Sequence, residues 1–228
     1  MQVTYYGHSC FLVETLGVKV LFDPFITPNP LAKEINLNLI KCDYIFVSHG
    51  HSDHIADLEV LAVQTGAKVV GSWELHSWLN KKGIPNTHPM NIGGVWDFGF
   101  AKVKMVVASH SNSLPDGTYG GIAAGFVIQN EETCFYYAGD TGLTMDMKFI
   151  SEDYSLDFAF LPIGSNFTMN AADAAKAADL IGCKKIIGMH YDTFGYITIN
   201  HDEARDEFTK RGSELTLMTI REKIELKK

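Results

Sequence analysis

The chain has 228 residues, of which 46% are hydrophobic and 20% are charged, as expected of a globular protein that can bury a substantial core. This composition excludes a disordered, collagen-like or low-complexity chain. The chain has 19 Lys and Arg residues and 27 Asp and Glu residues, so its net charge is −8. An acidic balance disfavours extended nucleic-acid binding, and we expect a small-molecule partner instead.

Segments for membrane insertion or export are not recognised in the sequence. No run approaches the roughly 18 consecutive apolar residues of a membrane helix, and residues 1–17 lack the basic start and cleavage site of a signal peptide. We therefore expect a cytoplasmic protein without a membrane partner. The sequence leaves open whether the chain forms a homo-oligomer. Isolated cysteines in apolar surroundings predict buried thiols, at Cys10, Cys42, Cys134 and Cys183.

The first third of the chain begins with short β-rich runs separated by glycine, which predict an antiparallel meander. Strands and helices then alternate. The predicted elements are strands Gln2–Tyr6, Cys10–Glu14 and Val18–Phe22, a short helix ending near Ile40, strand Tyr44–Val47, helix Asp53–Thr65, strand Val69–Val70 and helix Trp73–Lys82.

The middle of the chain is β-rich, and the last third alternates strands with capped helices. The predicted elements are strands Lys102–Ala108, Ile122–Ile128, Thr133–Ala138 and Asp157–Leu161, helix Asn170–Ile181, strand Lys185–Met189, helix Asn200–Arg211 and strand Leu215–Ile220. These strands are too many for one simple doubly wound sheet. We therefore predict one α+β domain over residues 1–228, with two packed sheets covered by helices.

A cluster of metal-ligand residue types follows the strand Tyr44–Val47. The sequence Ser48-His-Gly-His-Ser-Asp-His54 holds three histidines and an aspartate. In extended backbone His49 and His51 point the same way, while Asp53 and His54 follow at a helix start. Imidazole and carboxylate ligands suit zinc and other first-row metals, so the cluster predicts a metal site rather than a polar surface loop.

Three further strands end at a residue that could bind metal. Lys102–Ala108 leads to His110, Thr133–Ala138 leads to Asp140, and Lys185–Met189 leads to His190. Functional side chains commonly sit on loops beside a rigid sheet. We therefore predict that these residues join the first cluster.

The pattern H-x-H-x-D-H, followed in order by a strand-end His, Asp and His, resembles the metallo-β-lactamase superfamily over nearly the whole chain. The resemblance implies a four-layer αββα sandwich with two divalent metal ions. It assigns His49, His51 and His110 to one ion and Asp53, His54 and His190 to the other, with Asp140 bridging both. Zinc and manganese are the first expectations for the metals, and iron and nickel stay open.

Shorter phrases are similar to a branch of bacterial metal-dependent hydrolases related to the L-ascorbate-6-phosphate lactonases. They include Tyr6-Gly-His-Ser9, Phe22-Asp-Pro24, Ala138-Gly-Asp-Thr141 and Leu161-Pro-Ile-Gly164. Those lactonases are longer, so their substrate does not carry over. His51 replaces the glutamate of the di-iron relatives, which argues against redox chemistry.

The resemblance implies hydrolysis of a small ester, lactone or phosphoester by a hydroxide that bridges the two ions. Asp53 and Asp140 are the predicted catalytic carboxylates. Asp140 would bridge the two ions, and Asp53 would orient the nucleophile and could relay its proton. Two alternatives stay open: a phosphodiesterase acting on small nucleotides, and a non-catalytic metal-binding or sensing protein. A closed site with four protein ligands would favour the non-catalytic protein.

Weaker candidates surround this set. By resemblance, Asp23 orients the loop from His49 to His54, although it could be an ordinary turn residue. His8 could contact substrate near the metals or could be structural. Asn166, Tyr191 and Thr193 are further candidates for substrate contact, each with a loop-packing alternative.

Overall fold

The computed structural model describes residues 1–226, which form two seven-stranded sheets. The first sheet contains β1 (Gln2–Gly7), β2 (Cys10–Thr15), β3 (Val18–Phe22), β4 (Tyr44–Phe46), β5 (Lys68–Ser72) and β6 (Thr87–Met90) in spatial order. The second contains β7 (Val95–Asp97), β8 (Lys102–Val107), β9 (Ala124–Gln129), β10 (Cys134–Tyr137), β11 (Phe158–Pro162), β12 (Lys185–Met189) and β13 (Glu214–Thr216), again in spatial order. The last strand, β14 (Lys223–Glu225), returns to the first sheet beside β1.

Each sheet is antiparallel at one side and parallel at the other. The pairs from β14 to β3 are antiparallel and those from β3 to β6 are parallel. In the second sheet, β7 to β10 pair antiparallel and β10 to β13 pair parallel. Parallel neighbours need crossover connections. These carry the helices α1 (Ser52–Ile55), α2 (Leu58–Thr65), α3 (Trp73–Lys81), α4 (Met147–Asp153), α5 (Ala171–Leu180) and α6 (His201–Thr209).

The two sheets pack face to face through aromatic side chains. The ring of Phe22 stacks on Tyr137 with centroids 4.4 Å apart, and Phe46 lies 5.2 Å from Phe126. Their strand neighbours Leu21 and Ile45 belong to a separate core. Because successive strand residues point to opposite faces, each central strand serves one core on each side.

Helices cover the outer faces of both sheets. Leu58 and Leu61 of α2 pack in the same core as Leu21 and Ile45. On the second sheet, the buried alanines of α5 and Phe208 of α6 join the core around β11 and β12. The predicted four-layer α+β sandwich is therefore confirmed. The four cysteines are free and buried, as predicted.

The predicted helix Asp53–Thr65 was wrong in extent, since it is divided between α1 and α2. The Asp57 carboxylate accepts hydrogen bonds from the backbone N–H groups of Ile26 and Thr27, at 2.6 and 2.8 Å. The Asp57 N–H donates to the Pro24 carbonyl oxygen. These tertiary contacts hold the chain out of helical geometry at the junction, and the helical periodicity does not reveal them.

Other boundaries also differ from the prediction. The short helix ending near Ile40 is a single 3-10 turn at Leu37–Leu39, and the last predicted strand stops at Thr216. The sequence did not predict β6, β7, β14 or α4. Pro89 interrupts the β-like composition of β6, and all three residues of β7 are exposed. Both are edge strands, where burial patterning is weakest. None of the helices within residues 1–226 has the length and apolarity needed to cross a membrane.

Candidate metal centre

Four strands deliver polar side chains to one region of the molecule. His49 follows β4, His110 follows β8, Asp140 follows β10 and His190 follows β12 directly. All four residues take part in a connected set of short side-chain distances. The strand-end residues singled out in the sequence are thus brought together in space.

The first ligand group consists of His49, His51 and His110. One nitrogen from each ring lies within 4.8 Å of the others, a spacing that can hold a metal ion. The Nε2 atom of His49 is 2.9 Å from Nδ1 of His51. The side chains of these residues come from the loop after β4 and from the loop after β8.

The second ligand group consists of His8, Asp53, His54 and His190. One side-chain nitrogen or oxygen from each of these residues also lies within 4.8 Å of the others. Three of its members are the residues that the resemblance assigned to a second ion. His8, which follows β1, is the addition. Its Nε2 atom lies 3.2 Å from Oδ2 of Asp53.

Asp140 lies between the two groups. Its Oδ2 atom is 2.9 Å from Nε2 of His190 and 3.3 Å from Nε2 of His54. The same oxygen is 3.7 Å from Nε2 of His110 and 4.0 Å from Nε2 of His49. One carboxylate oxygen is therefore within reach of both groups.

Buried atoms at the centre lack hydrogen-bond partners. Oδ1 of Asp140, Nε2 of His54 and Nδ1 of His190 are all buried without one. An unpaired buried polar atom costs about 1–3 kcal/mol. Asp140 and His54 lie at the junction of the two groups, and a bound cation would give Oδ1 of Asp140 and Nε2 of His54 a partner. The donor set therefore fits divalent metal ions.

The protonation states differ between the two groups. Burial lowers the pKa of His49, and it also lowers the pKa values of His51 and His110, so all three rings offer neutral nitrogen lone pairs. In the second group, burial opposes ionisation of His54, yet the carboxylates of Asp140 and Asp23 raise its pKa well above the usual value. Burial likewise opposes the ionisation of Asp140, but His190 and His54 hold its pKa well below the usual range.

The backbone around the centre is unusual. His8, Asp23, Ser165, Asn166, His190 and Asp192 all have positive φ without being glycine. Such conformations are uncommon and cluster at functional sites. Gly139, just before Asp140, has φ of +61°, and a Cβ there would lie 2.6 Å from the Ala124 carbonyl oxygen and from Cβ of Ser48. Only glycine lets the strand end turn Asp140 into the site.

Asp23 lies behind the ligands and is fully buried. Its Oδ2 atom is 2.8 Å from Nδ1 of His54, and its two oxygens accept hydrogen bonds from the backbone and hydroxyl of Ser48 at 2.7 and 2.6 Å. The hydroxyl of Tyr137 also donates to Asp23, at 2.8 Å. Asp23 therefore orients a ligand of the second group and the residue next to His49, as a carboxylate behind metal-bound histidine commonly does.

Of the three candidates for substrate contact, Thr193 contacts a residue of the second ligand group, whereas Tyr191 and Asn166 are placed differently. The Oγ1 atom of Thr193 is 3.0 Å from Nδ1 of His8. The hydroxyl of Tyr191 instead donates to the Met218 carbonyl oxygen, in agreement with the loop-packing alternative. Asn166 is exposed, and its neighbour Phe167 lines the cavity in its place.

The centre opens into a cavity of about 290 Å³. Its walls combine residues of both ligand groups with Ser111 and two phenylalanines, and they are His51, Asp53, His110, Ser111, Asp140, Phe167, His190 and Phe194. Neither Phe167 nor Phe194 was assigned a role from the sequence. Their positions in the loops after β11 and β12, beside predicted site residues, were the available signal.

Asn112, Ser48 and Tyr137 are also contributors that sequence reasoning missed. Oδ1 of Asn112 accepts a hydrogen bond from the Gly50 backbone at 2.8 Å, which ties the loop after β8 to the histidine-rich loop. Ser48 and Tyr137 hold Asp23. Tyr137 and Phe135 are two residues apart on β10 and share the face that packs against Phe22, so the strand periodicity contained its signal.

Comparison with known proteins identifies relatives along the whole chain. The β-lactamase superfamily domain matches residues 2–190. A UPF0173 metal-dependent hydrolase of Flavobacterium johnsoniae is 52% identical over 226 residues, covering 99% of this chain and 100% of that protein. A UPF0173 metal-dependent hydrolase of Methylacidiphilum infernorum is 45% identical over 224 residues, covering 98% and 99%.

A solved structure shares the fold. Igni18, a metallo hydrolase from the hyperthermophilic archaeon Ignicoccus hospitalis, superposes with a TM-score of 0.89 and is 34% identical. The superposition covers 98% of this chain and 97% of Igni18.

Proposed function

Because this chain belongs to the β-lactamase superfamily and to its UPF0173 metal-dependent hydrolases, we propose that it holds two divalent ions and hydrolyses a small ester, lactone or phosphoester. The observation that carries this proposal is the position of Asp140. A single oxygen of its carboxylate lies within 4.0 Å of nitrogens from both ligand groups.

The proposed ligands are divided between the two groups. His49, His51 and His110 would hold one ion, and Asp53, His54 and His190 would hold the other, with Asp140 shared. Zinc and manganese are the proposed metals, since imidazole and carboxylate suit both. When bound, such ions polarise a carbonyl or phosphoryl oxygen and activate water near neutral pH.

The residues of the chain have separate tasks in the proposed reaction. Asp53 faces the cavity and is held by His8, so it would orient the attacking water and accept its proton. Burial opposes its ionisation, but the hydrogen bond from His8 and the charge of His54 lower its pKa, which keeps it an acceptor. Asp23 fixes the ring of His54.

The cavity favours catalysis over the non-catalytic alternative. A structural metal site is closed by its protein ligands. Here five candidate ligands line an open cavity of about 290 Å³, so a small molecule can reach them.

The test is hydrolysis by protein reconstituted separately with zinc and with manganese. A sugar-phosphate lactone and a chromogenic phosphodiester are the two substrates. Asp140→Ala should lose metal content and activity together, whereas Asp146→Ala, an exposed aspartate in the next turn, should keep both. Thermal unfolding of both variants checks that each is folded.

The outcomes separate the alternatives. Turnover of the lactone alone would support a lactonase, and turnover of the diester alone would support a phosphodiesterase. A fully active, metal-free Asp140→Ala protein would rule out the proposed centre.

A further inference from the structure

We infer that the substrate is an uncharged small molecule whose apolar or aromatic substituent packs between Phe167 and Phe194. This inference rests on the proposed hydrolysis at the same cavity, and it narrows the substrate class. It concerns the part of the substrate away from the bond that is cleaved.

Two aromatic side chains form one wall of the cavity. Phe167 comes from the loop after β11 and is 51% exposed, while Phe194 comes from the loop after β12 and is half-buried. Large exposed aromatic side chains beside a functional cavity mark a surface that binds an apolar group. Such a group would gain both apolar burial and ring contacts.

The position of Phe194 is fixed by its neighbours. Its ring centroid lies 5.4 Å from that of His8 and 6.2 Å from that of Phe25. Phe167 contacts the ring of Tyr196 at 6.2 Å, and Tyr196 is 79% exposed. Phe194 is therefore held against His8 of the metal centre, whereas Phe167 forms the solvent-exposed part of the same wall.

Countercharge for an anionic substituent is lacking. Among residues 1–226, no Lys or Arg lines the cavity. In the sequence, no Lys or Arg lies within two positions of any of the lining residues. Separate phosphate or carboxylate groups are usually held by Arg or Lys.

The charge of the whole chain acts in the same direction. The net charge of −8 repels anions at long range, and bound ions can compensate only the group that reacts. The cavity of about 290 Å³ lies at the lower end of ligand-site volumes, so the substrate is small. A neutral ester or lactone with one apolar substituent fits these three constraints.

The experiment compares three γ-lactones on the metal-loaded enzyme: γ-butyrolactone, its γ-phenyl derivative and its γ-carboxylate derivative. We expect kcat/KM to rise at least about tenfold with the phenyl group and to fall at least about tenfold with the carboxylate. In Phe167→Ala and Phe194→Ala the phenyl advantage should disappear, through KM more than kcat. Phe149→Ala removes an exposed phenylalanine of α4 outside this cavity and should change nothing.

A binding measurement covers the case in which none of these lactones is turned over. Calorimetric titration with N-benzylacetamide, on metal-loaded and metal-free protein, should show binding that weakens about tenfold in Phe167→Ala and Phe194→Ala. Preference for the carboxylate lactone, absence of N-benzylacetamide binding, or full affinity in both phenylalanine variants would overturn the inference. Failure of the proposed function appears elsewhere, as unchanged turnover and metal content in Asp140→Ala.

Discussion

The two ligand groups differ in their chemistry and in the residues that support them. In the first group all ligands are imidazoles. The second group combines the buried histidines His8, His54 and His190 with an acidic side chain that is 27% exposed. Only the second group contains a carboxylate of its own, Asp53.

In the proposed centre, the two groups would therefore be held in place by different means. Burial keeps the nitrogens of the first group neutral, and its link to Asp23 is indirect, because Ser48 lies between Asp23 and Nδ1 of His49. The second group depends on residues behind it, since Asp23 holds His54 and His8 holds Asp53. Substitutions in that supporting network should therefore weaken the second group first.

The largest effect is expected from removing one ligand of each group separately. His110→Ala and His190→Ala should each retain about one ion per chain, counted by elemental analysis. Each should lose activity about a thousandfold, because several kcal/mol of charge stabilisation disappear. His88→Ala serves as control, since this half-buried histidine packs on Trp96. Loss of both ions from either variant would show that the groups are not separate.

A smaller but selective effect is expected from Asp23→Asn. The amide N–H group cannot accept the hydrogen bond of His54, so the ring is free to turn its lone pair away from the centre. We expect a 10–100-fold weaker affinity for one of the two ions, measured by competition with a chromogenic chelator. Asp43→Asn removes an exposed strand-end carboxylate that accepts from the Lys19 backbone and should leave affinity unchanged. Equal weakening of both ions in Asp23→Asn would contradict the asymmetry.

The layered fold and the grouping of His49, His51, Asp53 and His54 could be predicted from the sequence. Strand composition gave most strand positions, and residues at consecutive strand ends must lie near one another once the strands pair. The contact between His8 and Asp53 could not be predicted. This contact depends on how the end of β1 meets the loop after β4. In the sheet, β2 and β3 lie between β1 and β4.

The aromatic part of the cavity wall was not predicted, although the histidines and aspartates that line the cavity were. Phe167 and Phe194 look like ordinary loop aromatics in the sequence, and only the packing of two crossover loops brings them to one cavity. The junction between α1 and α2 has a similar cause. The Asp57 carboxylate accepts a hydrogen bond from the backbone N–H of Thr27, 30 residues earlier. The local helical pattern does not indicate that contact.

His8→Ala should affect only the second group. It removes the hydrogen bond to Asp53, which contributes to the lowered pKa of that carboxylate against the effect of burial. The pKa of Asp53 should therefore rise, and the acid limb of the activity profile should move towards neutral pH. At neutral pH we expect kcat to fall about tenfold, as for a hydrogen bond to a charged group.

His8→Gln tests whether His8 acts through that hydrogen bond. The Gln amide can donate to Asp53, so the acid limb should return towards its original position. The readout is the pH profile of kcat together with metal content. An unchanged profile in His8→Ala would assign His8 a packing role only.

The smallest effect is expected at Thr193, and it follows from the proton on His8. Burial, with the nearby His190, lowers the pKa of His8 to about 4, so one ring nitrogen carries the only proton at neutral pH. An ionised Asp53 can only accept, so this proton lies on Nε2, and Nδ1 accepts from the Thr193 hydroxyl. Thr193→Val leaves Nδ1 buried and unpaired, which should cost about 1–3 kcal/mol of unfolding free energy in urea denaturation. The partial loss of orientation of His8 should lower kcat roughly twofold to fivefold. Thr193→Ser keeps the hydroxyl and Thr198→Val changes an exposed threonine, so both variants should remain near wild type. A larger defect in Thr193→Ser than in Thr193→Val would show that the methyl group, not the hydrogen bond, positions His8.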